Sequence, residues 1–371
     1  MAEWSRIVNT TIREYVRTES INTLRNRKLT ALMRERGRVT MNHSGEQLDW
    51  KVRYKRAPLF GFADADTLTF SRRNRWKTAV LPWRGYASTD SMTKKERLMN
   101  KSVEAIVNVY SNVAKILLED IEDNFCDELY IDGNAAGNSK RMHGVESFLA
   151  DDGTNTVNIS TNADRAYNAA DRVGAPGDTY AGLLTNRGNY GGTWSGSWPN
   201  GTGDAHYDFW SPALVSANST DYGSATDTWA GQAEALMRYG IIKAQKNKSR
   251  KGQLDLILLN SQYYEDFLAR IETKERFVSR PGRNEGSLAK LGFTDTVNWD
   301  GVEVTWEYGV PASTGYGFNI DEMELCSLQK QLFVPEGPDF DIASQSYRFS
   351  IDFYGNMKCN PRCFVKFYEP V

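Results

Sequence analysis

Between Thr93 and Leu129 apolar residues recur every three or four positions: Val103, Ile106, Val107, Tyr110, Val113, Leu117, Ile121, Phe125 and Leu129. That period is helical. Thr93-Lys94-Lys95-Glu96 opens the run as a capping box, in which the Thr hydroxyl and the Glu carboxylate satisfy free amide donors. Asp132-Gly133-Asn134 closes it. The pattern predicts one helix roughly 55–60 Å long at 1.5 Å per residue, well beyond the usual three or four turns. A helix of that length spans a molecule instead of nestling in it.

Upstream the pattern changes twice. Residues 1–35 read as helical, with Trp4, Ile7, Ile12, Tyr15 and Val16 loosely on one face and Arg6, Arg13, Arg17, Arg25, Arg27 and Arg34 on the rest. That segment is too polar to form a core alone and is expected to pack on something else. From 36 to 90 the period falls to two. Leu48, Trp50, Val52 and Tyr54 fall on one side of a strand, while Asp49, Lys51, Arg53 and Lys55 fall on the other. A turn is predicted at Asn42-His43-Ser44-Gly45 and further strands at Asp66–Phe70 and Lys77–Trp83. Such a basic, hairpin-rich segment has little apolar surface for a closed domain. It is expected to project and find its partner on a neighbouring molecule.

Downstream, residues 134–230 are rich in Gly, Asn, Asp, Thr and Trp. The aromatics from Trp194 to Trp210 are read as pegs that pin a long loop, with a sugar-binding platform as the alternative. A helix is predicted near Thr226–Asn247, then a strand at Leu256–Leu259 whose continuous apolar run implies burial on both faces. Asn260-Ser261 offers an N-cap for a helix to about Arg270. This strand–turn–helix has no Gly-rich loop and no Walker lysine, which argues against a nucleotide site. Strands at Val302–Tyr308, Phe318–Leu325, Tyr347–Tyr354 and Cys363–Tyr368 finish the chain. The stretch GVEVTWEYGVPASTGYGFNIDEMEL thus reads as a strand, a soft Gly/Pro joint and a second strand.

Composition bounds the class. The 371 residues, 40% hydrophobic and 25% charged, fit a soluble globular protein of two or three domains. No stretch approaches the ~20 apolar residues that span a bilayer, and the N-terminus has no signal-peptide core. No membrane partner is expected, and the protein is expected to act in the cytoplasm where it is made. The net charge of −2 hides an asymmetry: residues 1–101 carry 22 Lys and Arg against 10 Asp and Glu, and the remainder 23 against 37. Opposite signs at the two ends allow head-to-tail contacts between copies, or a basic face turned to nucleic acid. The four cysteines are too few for a disulfide scaffold, and Cys126 and Cys326 read as small buried hydrophobes.

The sequence offers little for catalysis. Its three histidines, His43, His143 and His206, sit in no nucleophile-elbow setting and read as loop or surface residues. Cys359-x-x-x-Cys363 lacks a second Cys/His pair for zinc. Glu119, Asp120, Asp123 and Asp127 read as a solvated helix face and not as a cation site. No catalytic residue, cofactor or metal is expected.

The order of these elements, together with LDLILLNSQYYEDF, GVEVTWEYGVPASTGYGFNIDEMELC and IDFYGNMKCNPRCFVKFYE, resembles the major capsid proteins of tailed bacteriophages, the Hong Kong 97-type fold. The resemblance implies an α+β chain in five parts. Residues 1–35 would be an N-terminal arm, 36–90 an extended β-hairpin loop, and 91–133 the long spine helix of a peripheral domain. Residues 134–325 would be mostly a mixed α/β axial domain, with a Gly/Trp-rich insertion at 174–228. Residues 326–371 would supply closing strands to both domains. Only about 35 residues precede the extended loop, so either a separate scaffolding protein or a processed chain is expected, and the starting Met favours the former.

By this resemblance the chain is expected to be a structural protein of the virion. It would build hexamers and pentamers of an icosahedral head in the host cytoplasm, with itself, scaffolding, portal and decoration proteins, and packaged double-stranded DNA as partners. Trp4, Tyr15, Trp50, Arg53 and Tyr54 are the candidates for contacts between subunits, and Arg25, Arg27 and Lys28 for facing DNA without base specificity. A Lys–Asn cross-link between chains would draw on Lys51, Lys55 or Lys77 with Asn356 or Asn360. The alternatives are an encapsulin-like compartment shell and a carbohydrate-binding module.

Overall fold

The structure is a computed structural model that describes residues 27–53, 59–64, 66–67, 70, 72, 75–99, 103–135, 137–149, 179–184, 210, 212–216, 228–246, 253–272, 287–291, 293 and 295–369. Trp4, Tyr15, Arg25 and Tyr54 lie outside these residues, as do His206, Trp194 and most of the expected 174–228 insertion.

The helices are α1 (Lys28–Glu35), α2 (Lys94–Met99), α3 (Val103–Glu128), α4 (Glu146–Leu149), α5 (Trp229–Lys246), α6 (Ser261–Glu272) and α7 (Ser287–Lys290). The strands of the first half are β1 (Val39–Thr40), β2 (Gln47–Arg53), β3 (Trp76–Pro82), β4 (Arg84–Thr93), β5 (Thr179–Tyr180), β6 (Leu183–Leu184) and β7 (Ala213–Ser216). Those of the second half are β8 (Leu256–Leu259), β9 (Val297–Trp299), β10 (Val302–Trp306), β11 (Thr314–Phe318), β12 (Met323–Ser327), β13 (Val334–Asp341), β14 (Ser346–Cys359) and β15 (Val365–Tyr368). Among the described residues no helix is long and apolar enough to cross a membrane.

Two sheets carry the architecture. The six-stranded sheet runs β7-β15-β11-β8-β10-β9. At its centre β8 is buried at all four positions, as its unbroken apolar run predicts, and it is parallel to β10 and antiparallel to β11. Its side chains alternate between two cores. Ile257 and Leu259 meet Trp229, Met237, Ile241 and Phe267 of the α5–α6 layer, together with Val304 and Phe367. Leu256 and Leu258 point the other way, into the larger core with Tyr316, Phe318 and Phe364. The cap predicted for α6 is present, since Asn260 Oδ1 accepts from the Gln262 amide at 3.1 Å.

The second, five-stranded sheet is organised by β14, fourteen residues long. It pairs with β4 over 346–355, with β13 over 346–352 and with β12 over 355–359, all antiparallel. β1 adds to β12 in parallel. Helix α3 lies on this sheet and drives Phe125 between Phe333 and Phe353, with ring centres 5.4 and 5.1 Å away.

Three expectations are corrected. The capping box is real, with Thr93 N donating to Glu96 Oε2 at 2.9 Å and Glu96 N to Thr93 Oγ1 at 3.3 Å. However, it starts the short α2, and residues 91–93 still belong to β4. The 26 residues of α3 cover about 39 Å, and continuity across 100–102 lies outside the described residues. Second, Asp66, Thr67 and Phe70 are not in a strand, while 84–90, expected in the projecting loop, pair with β14 in the main sheet.

Third, the soft joint is itself a strand. Thr314–Phe318 forms β11, buried throughout, and FNIDEMEL bends through a 3₁₀ turn at Ile320–Glu322 before entering β12 of the other sheet. Asn319 Oδ1 caps that turn through the Asp321 amide at 3.1 Å. The glycines serve packing here: a Cβ on Gly315 would lie 2.4 Å from Leu259 Cδ2. Small residues let β11 lie against β8 under a full leucine layer.

A polar node ties these parts together. Asn356 is fully buried, and its Oδ1 accepts from His143 N at 3.0 Å and Met357 N at 2.9 Å. Its Nδ2 therefore faces Pro82 O at 2.8 Å and His143 Nδ1 at 3.0 Å. Nδ1 must accept, so the imidazole is neutral in the folded protein. Burial and the nearby Arg84 guanidinium push His143 down to about 4. In the unfolded chain it returns to about 6.5 and takes up a proton below that pH. Its contribution is thus complete above pH 6.5 and lost as pH falls toward 4. That contribution is on the order of 3 kcal/mol.

Urea unfolding of wild type should show this loss between pH 7 and pH 4.5, and His143→Gln should flatten the pH dependence. A second expectation concerns Gly355, where a Cβ would lie 2.4 Å from the Cys326 carbonyl of the adjacent strand. Gly355→Ala should cost roughly 2–3 kcal/mol in the same experiment.

Candidate assembly surfaces

The hairpin β2–β3 pairs from Gln47↔Pro82 to Arg53↔Trp76. A two-stranded ribbon can bury a face only where something else covers it, and burial falls along this one accordingly. At the base Leu48, Ala79 and Leu81 are in the main core. Trp50, half-buried, meets the rings of Tyr180 and Trp210 at 6.2 and 6.4 Å, donates from Nε1 to Asn360 Oδ1 at 3.2 Å, and has Lys358 Nζ 5.9 Å from its ring centre. Beyond Arg53 the apolar residues open to solvent: Leu59 is 99% exposed, Phe60 60%, Phe62 70%, Phe70 91% and Trp76 54%. Five large apolar side chains at such exposure on one projection exceed ordinary surface scatter. The same stretch, 51–77, is basic, with eight Lys and Arg against two Asp.

The structure redistributes the residues singled out from the sequence. Trp50 is engaged within its own chain at the hairpin base, while Arg53 is exposed on the ribbon. Lys28 cannot face DNA, because it is 8% exposed and spends all three donors internally. Its Nζ reaches Asp295 Oδ2 at 2.6 Å, Thr305 Oγ1 at 2.7 Å and the Trp306 carbonyl at 2.8 Å, with the Trp306 ring centre 5.1 Å away. The next residue continues the anchor: Leu29 N donates to the buried Glu307 Oε2 at 3.0 Å, at the N-terminal end of α1 where a carboxylate is favoured. Burial pushes the Glu307 carboxyl up. Arg27 pairs with Asp123 at 3.2 Å, on the acidic face of α3. These contacts moor the end of the expected arm to the six-stranded sheet.

Other expectations meet the same test. All four cysteines are free and buried. His143 lies in a loop, one of the two settings expected for it, and is buried there. Trp210 is fully buried against Tyr180, with ring centres 5.8 Å apart, which makes it a peg and removes it from any sugar platform. Asn356 is sealed in the node described above and beyond reach of a neighbour's lysine. Asn360 is held by Trp50 and by Glu322 Oε2 at 2.7 Å.

No protein-family model matches the sequence, and no curated protein matches it. Solved structures do. The chain superposes on the subunit of the cyanophage A-1(L) capsid asymmetric unit with a TM-score of 0.57, at 12% identity and with 90% of each chain covered. It superposes on the capsid of Myoviridae phage XM1 with a TM-score of 0.50, at 11% identity, again over 90% of each chain. The chain shares the fold of these phage capsid proteins. At such identity the likeness is one of architecture, and it extends over nearly the whole chain, as the element order anticipated.

Within this capsid fold Lys28 carries structural weight. Lys28→Ala leaves Asp295 and Thr305 without their cation and should cost about 2–4 kcal/mol in urea unfolding. Retention of DNA by the protein at low salt should not change.

Proposed function

We propose that this chain is a major capsid protein, which assembles into hexamers and pentamers of an icosahedral head around double-stranded DNA. The observation that carries the reading is the projecting hairpin on a capsid fold: its base is locked into the core while its far end displays Leu59, Phe60, Phe62 and Phe70 to solvent. Those side chains are exposed, and a second copy of the chain would supply a surface to cover them. Single interfaces of ~1,600 Å² would be marginal, but each subunit would make several, and the closed lattice multiplies them.

The basic stretch 51–77 and the acidic balance of the rest of the chain favour contacts between unlike regions of neighbouring subunits. Trp4, Tyr15, Arg53 and Tyr54 remain contact candidates in this reading, with Trp50 acting from below by fixing the hairpin base. Arg25 remains a candidate to face packaged DNA through non-specific electrostatics. Scaffolding, portal and decoration proteins would complete the head, with assembly in the host cytoplasm.

Phe60→Ser, Phe62→Ser and Phe70→Ser combined should leave unfolding stability within about 0.5 kcal/mol of wild type, since exposed side chains contribute little to the folded monomer. Electron microscopy and light scattering should show that the variant no longer forms closed shells. Normal shells from the triple variant would sink the reading.

A further inference from the structure

Where β1 joins β12, the parallel register sets Thr40 opposite Cys326. Glu324 and Cys326 are two apart on β12 and so share one face. After β1 the backbone turns at Asn42, with φ of 61°, and is stitched to the end of β12. Asn42 N donates to Gln329 O at 2.9 Å and His43 N to Ser327 O at 3.0 Å. The turn brings the His43 ring back over Cys326 and Glu324. One ligand-type atom from each of the three residues then lies within 4.8 Å of the other two. The Thr40 hydroxyl sits among them, 2.8 Å from His43 Nε2, 2.9 Å from Glu324 Oε1 and 3.5 Å from Cys326 Sγ.

We propose that His43, Glu324 and Cys326 form a binding site for a divalent transition-metal ion of the zinc type, with Thr40 Oγ1 or a water in the fourth position. The donor set decides the class. A sulfur and an imidazole nitrogen disfavour calcium and magnesium, which take oxygen, while sulfur, nitrogen and carboxylate together suit zinc. Bonds of 2.0–2.3 Å in a tetrahedron place ligand atoms about 3.3–3.7 Å apart. The present spacing of at most 4.8 Å closes to that with side-chain movements of about 1 Å.

The surroundings are also those of a held ligand set. Lys358 Nζ binds Glu324 Oε2 at 3.0 Å, leaving Oε1 turned toward the cluster, and the His43 ring packs 6.1 Å from that of Trp83. Such outer contacts orient ligands. The step is a simple exchange: the ion binds, Cys326 gives up its thiol proton to solvent, and no electron is transferred.

The position gives the site a consequence. β1 and the turn after it lead directly into the projecting hairpin, so an ion here would clamp the hairpin's base to the five-stranded sheet. Metal binding itself is independent of the capsid reading; only its effect on shell assembly rests on it.

The test uses full-length protein stripped with EDTA and titrated with cobalt(II), then zinc(II). The expected result is a thiolate-to-cobalt charge-transfer band with tetrahedral visible bands, saturating at one ion per chain and abolished by zinc. Cys326→Ser should remove the charge-transfer band. His43→Gln, a half-buried turn residue whose loss leaves the core intact, should weaken binding at least tenfold. Cys126→Ser should leave the spectrum unchanged. Absence of a charge-transfer band in wild type, or a band that survives both Cys326→Ser and His43→Gln at full strength, would overturn the assignment. With binding established, wild-type shells formed equally in zinc and in EDTA would sink only the clamp.

Discussion

Four residues of β8 divide their side chains between two cores, and most of the chain is hung on that division. Leu256 and Leu258 belong to the core shared with β11 and the hairpin base, while Ile257 and Leu259 belong to the helical layer of α5 and α6. Because side chains alternate with period two, a slip of one residue would exchange every contact between the cores. The neighbours are matched to this. β11 reduces its side chains to glycine at positions 315 and 317, where the leucines of the β8 segment come close. The helix α1 reaches the same sheet through Lys28 and Leu29, and the mooring is polar: Lys28 Nζ spends its three donors there and Leu29 N donates to Glu307.

The opposite constraint governs the hairpin. A ribbon of two strands has no second layer, so its apolar residues are buried only where the body of the protein meets them. The transition falls within a few residues: Leu48 and Val52 are buried, Trp50 is wedged against Tyr180, and Phe60, Phe62 and Phe70 are open. The buried part is rigid because its indole is held by Asn360 and its neighbouring strand by the Asn356 node. A stiff base and an exposed apolar end would serve the proposed assembly role, because they would present one surface reproducibly to a neighbouring copy.

Charged residues show how little local pattern says about burial. Lys28 sits in a run of arginines and reads as solvent-facing. It is enclosed by Asp295, Thr305 and Trp306, residues some 270 positions later in the chain. Lys366 has the same fate, held by both oxygens of Glu146 at 2.7 and 2.9 Å. Long aliphatic stems make these side chains compatible with either setting, and only a distant partner decides between them. The three metal-type ligands at His43, Glu324 and Cys326 are likewise scattered over 284 positions of sequence. No spacing rule could have collected them; the parallel pairing of β1 with β12 does.

What the sequence determined by itself is what depends on neighbours along the chain. The period of α3, the capping box at Thr93, the Asn260 cap, the doubly buried β8 and the alternation of β2 all follow from residues within a few positions of one another. So does the order of elements that marks the capsid architecture. Tertiary structure decided whatever depends on a partner far away. It turned the Gly/Ser/Thr joint into β11, since glycine there answers to Leu259 across the sheet and not to flexibility. It sent 84–90 into the main sheet beside β14, drew Lys28 inside, and sealed Asn356 and Trp210 in the core. The physical reason is the same in each case: local pattern fixes which backbone shape a segment can take, while burial and charge pairing are properties of two surfaces, and the second surface is supplied only by the fold.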